Sequence, residues 1–181
     1  NTNLNAAGEP VPAGTVRDIL AELPPGFIGN PMVTDRCPIA SVEGCPPLEA
    51  LVGKNEALTH RFPPPVNNSG AAPVRNMRPP SGYAAQFTTQ IVEAKVAALA
   101  SLRSDVDYGV TLTAPLVPTL YRVYGTLFVI EGKPSAAHGK ALLTVPTGCR
   151  HEAIAPPVTT VATNSWEVPE LFGEQSTEIP P

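Results

Sequence analysis

Residues 106–113 read VDYGVTLT and residues 121–130 read YRVYGTLFVI, and these two stretches decide the fold class. In the first, Val106, Tyr108, Val110 and Leu112 alternate with Asp107, Gly109, Thr111 and Thr113, the period-two pattern of a strand with one buried face. The second starts with alternation and then turns apolar on both faces, as a central strand covered on both sides does. It stops at Glu131-Gly132-Lys133-Pro134, a turn signal. Residues 87–92, 141–145 and 158–163 add further β-branched, strand-sized runs. Residues 15–23 and 93–103 are ambiguous, because their Ala, Leu and charged residues also fit helical spacing. For 93–103 the alternation of Ala94, Val96, Ala98, Ala100 and Leu102 favours a strand.

Outward from these runs, proline sets the punctuation. The chain has 23 prolines in 181 residues, with doublets or triplets at 24–25, 46–47, 63–65, 79–80, 156–157 and 180–181. Proline lacks an amide donor and fixes φ, so regular structure belongs in the proline-free windows and central strands should avoid it. The expected fold is all-β: an antiparallel β-sandwich, immunoglobulin-like or jelly-roll-like, with long Pro-rich loops. Residues 1–14 read as an extended N-terminal arm, 15–169 as a single sandwich domain, and 170–181 as a Pro-ended C-terminal arm or linker.

With 43% hydrophobic residues, 15% charged ones and a net charge of −4, the chain matches neither a disordered tail nor a nucleic-acid binder. Its 12 Lys and Arg residues are scattered, and no apolar run reaches the ~18 residues of a membrane helix. An N-terminus at Asn1, followed by small polar residues, suits a chain freed of a leader or cut from a longer one.

From Leu23 the sequence runs LPPGFIGNP, RCP and GCPPLEALVG, then APVRNMRPPSGYAAQF, SLRSDVDYGVTL, VYGTLFVIEGKPSAAHG, LLTVPTGC and NSWEVPE. In this order the segments resemble large exported surface proteins of actinobacterial type, over most of residues 16–169. The resemblance implies an extracellular, β-rich, disulfide-bonded architecture and carries no established activity. Two features depart from the family pattern. Tyr124 stands where a tryptophan precedes the glycine, and no cysteine follows the Trp166 segment.

Three cysteines are an odd number. Cys37 and Cys45 are spaced to staple the loop after LPPGFIGNP, a disulfide that would contribute roughly 2–3 kcal/mol by loop entropy. A zinc site would need two more ligands and a shorter spacing. Cys149 is left over, either as a small buried apolar residue or as a thiol for an intermolecular bond. His60, His138 and His151 share no metal-binding spacing, and Ser135 with His138 lacks a nucleophile elbow, so turn residues are the reading there. Asp105 and Asp107 would lie on one strand face as solvated carboxylates or, less simply, as calcium ligands. Asn67-Asn68-Ser69 fits the N-glycosylation pattern. Trp166 and Phe172 are the aromatics that could anchor assembly or stack on a sugar.

No nucleophile, base and orienting acid can be nominated together, and no cofactor motif is present, so catalysis is not expected. The expectation is an extracellular structural or assembly protein: a subunit of a surface filament or layer, or a module of a long adhesin, joined through its termini. Its partners would be other copies of itself or neighbouring domains of a longer chain. The alternative is a carbohydrate-binding module for surface glycan.

Overall fold

The computed structural model describes residues 2–4, 10–12, 14–38, 49–60, 71–91, 94–104, 107–118, 122–144 and 158–178. Their strands are β1 (Thr2–Leu4), β2 (Pro10–Pro12), β3 (Val16–Glu22), β4 (Ile28–Gly29), β5 (Leu51–His60), β6 (Ala71–Met77), β7 (Ala85–Ile91), β8 (Ala94–Leu102), β9 (Val110–Ala114), β10 (Arg122–Ile130), β11 (Leu143–Thr144), β12 (Val158–Ser165) and β13 (Gly173–Glu178). Single 3₁₀ turns occur at Pro31–Val33 and Ser135–Ala137, and the described residues contain no α-helix. None of their helical segments is long and apolar enough to cross a membrane.

Nine strands form one antiparallel sheet in the order β10-β5-β6-β7-β8-β9-β3-β12-β13. Strands β5 to β9 follow one another as a meander; β10 then returns to the free side of β5, and β12 crosses back to lie beside β3. The two small sheets are β1-β2 and β11-β4. The all-β antiparallel class is as expected, reached by curling one sheet on itself in a sandwich- or barrel-like way. The curl follows from packing. Val110 and Leu112 of β9 and Phe128 and Ile130 of β10 all pack on one core of Val52, Val74, Ala85, Phe87, Ala98, Ala100 and Leu142. In a flat sheet β9 and β10 would stand about 24 Å apart, five spacings of ~4.8 Å.

Both ambiguous segments are strands, β3 and β8. Pairing along both sides of β8, to β7 and to β9, overrides its helical propensity, and Ala94, Ala98 and Ala100 go into the interior.

Four expectations need correction. The strand read from Val106 begins only at Val110, because Asp107 and Tyr108 belong to the β8–β9 turn. β10 is apolar on both faces yet lies at one end of the strand order, and Leu127 is exposed. Pro73 sits inside the interior strand β6, tolerated because the ladder to β7 covers only Arg75–Met77 and stops short of it. The segments read as arms are paired: β1 folds against β2, and β13 lies along β12 with every residue exposed. Backbone donors and acceptors need partners, and each arm finds them within the chain.

Gly53 marks a register shift where β5 meets β6, and on the other side a Cβ there would run into the Val129 carbonyl of β10. Replacing it with alanine is expected to destabilise the fold by roughly 1–3 kcal/mol, read as a lower midpoint in urea unfolding.

Candidate functional site

Where β7 begins and β8 ends the wall is alanine: Ala84, Ala85 and Ala100 leave space where larger side chains would fill the curl. The result is an apolar cleft of about 490 Å³. Phe87, Val110, Leu112, Phe128 and Ile130 line it from the sheet, and residues 27–31 with Leu142 and Leu143 close one side through the small β4-β11 sheet. Asn30 holds that side in place, its amide donating to the Leu142 carbonyl at 2.8 Å. Leu102, Ile28 and Tyr108 form an exposed apolar rim, Tyr108 with 72% of its surface open.

Arg103 builds the rim. Its guanidinium donates through Nε and Nη2 to the two carboxylate oxygens of Asp107, both at 2.9 Å. Nη2 also reaches the Leu23 carbonyl at 2.8 Å, and Nη1 reaches the Val110 carbonyl and Thr111 Oγ1, each at 3.2 Å. All five donors are used. Asp107 Oδ1 also accepts from the Gly109 amide at 2.8 Å, and Tyr108 takes a left-handed φ of 58° whose amide donates to the Arg103 carbonyl. A Cβ at position 109 would run into the guanidinium and push it from this set of bonds. Residues 107–109 thus belong to a turn clamped to the end of β3, and Asp107 is an arginine partner instead of a strand-face carboxylate. Hydrogen bonds from Arg103 first, and from Gly109 second, hold its pKa below the ordinary 3.8.

A second apolar surface lies in the turn between β12 and β13. Val168, Leu171 and Phe172 are exposed there, Leu171 by 58% and Phe172 by 45%. Polar latches fix the base of this turn. Thr15 donates from its amide to both Glu167 carboxylate oxygens, at 3.1 and 2.9 Å, and from Oγ1 to Oε1 at 3.1 Å. Asn164 Oδ1 accepts from the Asp18 amide, and its Nδ2 donates to Asp18 Oδ2 and to the Pro169 carbonyl. Asp18 Oδ1 accepts from the Leu116 amide, the main reason its pKa is lowered; the Thr15 amide does the same for Glu167.

Trp166, one of the two aromatics singled out from sequence, is part of this base. Its Nε1 donates to the Val117 carbonyl at 3.0 Å and the Arg17 guanidinium stacks 5.3 Å from its ring centroid, leaving 39% exposed. Phe172, the other, projects. Cys37 is buried beside Ala50 and Met77 and is disulfide-bonded; Cys45 and Cys149 lie outside the described residues. So do His151, Asp105 and Asn67-Asn68-Ser69, and the side chain of His60. His138 has a φ of 50° just after the Ser135–Ala137 turn, in keeping with a turn reading of KPSAAHG. Among the described residues no three His, Cys, Asp or Glu side chains gather as a metal site. Sequence reading missed the cleft; the alanines of 84–100 were its one visible sign. No protein-family model, curated protein or solved structure matches this chain.

Asp18, Asp107 and Glu167 all titrate lower when folded than unfolded, so their contribution is complete above the ordinary carboxylate values and is lost as pH falls through the lowered ones. The melting temperature should therefore hold from neutral pH down to the ordinary values of 3.8 and 4.5 and fall below them. Asp107→Asn should flatten part of that acid limb, and Arg103→Met should lower the melting temperature by several degrees at neutral pH. Thermal melts across pH measure both.

Proposed function

We propose that this chain is an extracellular structural protein that works by assembly, as a subunit of a surface filament or layer or as a module of a long adhesin. The observation that carries this reading is where its exposed apolar side chains stand: the rim of the cleft and the β12–β13 turn lie at opposite ends of the sheet. The register fixes this. Ser165, which leads into the turn, pairs with Val16 at the start of β3, whereas Leu23 and Val110, in the cleft wall, stand at its far end. Large apolar patches left open on a folded chain mark contact surfaces, and a unit with one at each end is suited to joining others in series. The resemblance to exported actinobacterial-type surface proteins supports the location. The bonded state of Cys37 also suits an oxidising compartment, with Cys45 proposed as its partner and Cys149 as a thiol open to a neighbouring chain. A carbohydrate platform at Trp166 has less support, since its N–H and one ring face are already engaged.

Sedimentation velocity over a range of concentrations, with electron microscopy of the most concentrated sample, tests the reading. Oligomers that lengthen with concentration are expected. A chain that stays monomeric at the highest attainable concentration would refute it.

A further inference from the structure

We infer that Leu171 and Phe172 of one copy seat in the apolar cleft of the next, joining copies head to tail; the inference rests on the assembly reading above and names its contact. A chain with such a knob and such a cleft can satisfy one with the other only if both can reach. Within one molecule they cannot. β3, seven residues long, separates the two ends by roughly 20 Å at ~3.3 Å per residue. The latches from Asn164 to Asp18 and from Glu167 to Thr15 tie the turn to its own end. The occupant of the cleft is then the turn of a second copy.

Size and chemistry agree. The cleft, at about 490 Å³, falls in the range that encloses a ligand of several side-chain groups, and its lining is almost wholly aliphatic and aromatic. Leu171 and Phe172 are apolar, adjacent and more than two-fifths exposed. Both partners are held rigid before they meet, the rim by Arg103 and the turn by Asn164, Trp166 and Glu167, so little order is lost on contact. Charges around them are opposed in sign. Exposed Glu170 and Glu174 flank the knob, while exposed Lys133 and Lys140 lie in the loop that leads to Leu142, where Glu131 is the only acid. Because knob and cleft are different surfaces on opposite ends, the contact is heterologous and leaves a free knob and a free cleft after every addition, which generates an open chain of copies instead of a closed dimer.

Two variants and their mixture test this. Leu171→Glu/Phe172→Glu removes the knob and Leu102→Glu charges the rim of the cleft; all three positions are exposed, and wild-type melting curves are expected. Each variant alone should sediment as a monomer where the wild type forms longer species. An equimolar mixture of the two should form a one-to-one heterodimer and nothing larger, because one intact knob meets one intact cleft. If both variants assemble like the wild type, the knob-and-cleft contact is wrong and assembly proceeds through another surface. If the folded variants are monomeric and mixing restores no dimer, the head-to-tail pairing is overturned. A wild-type chain that remains monomeric, yet binds dodecanoate and loses it with Leu102→Glu, gives the cleft to small amphiphiles and overturns both this contact and the assembly reading.

Discussion

The Arg103 guanidinium is the fixed point of the cleft end. The end of β3, 80 residues earlier, meets it through the Leu23 carbonyl, and the neighbouring β8–β9 turn and start of β9 meet it through Asp107 and through Val110 and Thr111. A planar fork with five donors can hold such a junction in one geometry, whereas a lysine ammonium could not. The junction decides where β9 begins, aims Tyr108 at the rim and brings the LPPG segment up to the cleft wall. At the other end no single residue has that role, and the polar contacts of Asn164, Trp166 and Glu167 share it.

Between the two ends, side-chain volume governs shape. Alanines on β7 and β8 line one hollow with Val110 and Leu112 of the neighbouring β9 and with Phe128 and Ile130 of β10, and the volume they do not fill is the cleft. A core normally packs to the density of organic crystals, and unfilled apolar space costs stability. Such space held open by small residues is an unusual use of a core face, and it sets the inner surface of this sheet apart from an ordinary sandwich interior.

Much of the strand content was legible because proline confined it: β7, β10 and β12 all lie in proline-free windows with β-branched or aromatic character. The misreadings have physical causes. In VDYGVTLT the alternation is real, but Asp107 is drawn off the strand by an arginine four residues earlier, and periodicity does not register side-chain clamps. In YRVYGTLFVI, apolarity on both faces read as central placement, whereas β10 sits at an end of the order with Phe128 and Ile130 lining the cleft. Pro73 escaped the rule against proline in interior strands because pairing is local to each residue and not to the whole strand. Of the candidate residues, Trp166 and Phe172 were both marked as contact aromatics, yet only the hydrogen bond to Val117 and the Arg17 stacking mark Trp166 as the one that braces the turn. The cleft draws its walls from residues 23 to 143, and no local pattern encodes that assembly.

The fully exposed strand β13 gives the molecule a mechanical asymmetry. Its last residue, Glu178, pairs with Val158, so a pull applied beyond Glu178 loads the ladder to β12 at its open end and parts it one pair at a time, like a zipper. Six residues would be released in sequence, giving roughly 20 Å of slack at ~3.3 Å per residue. The yielding would stop at the turn, where the carboxylates of Asp18 and Glu167 hold the chain crosswise to the load. Leu171 and Phe172 would keep their place while the tail beyond them stretched, so that this edge strand acts as a compliant leash on a stiff head.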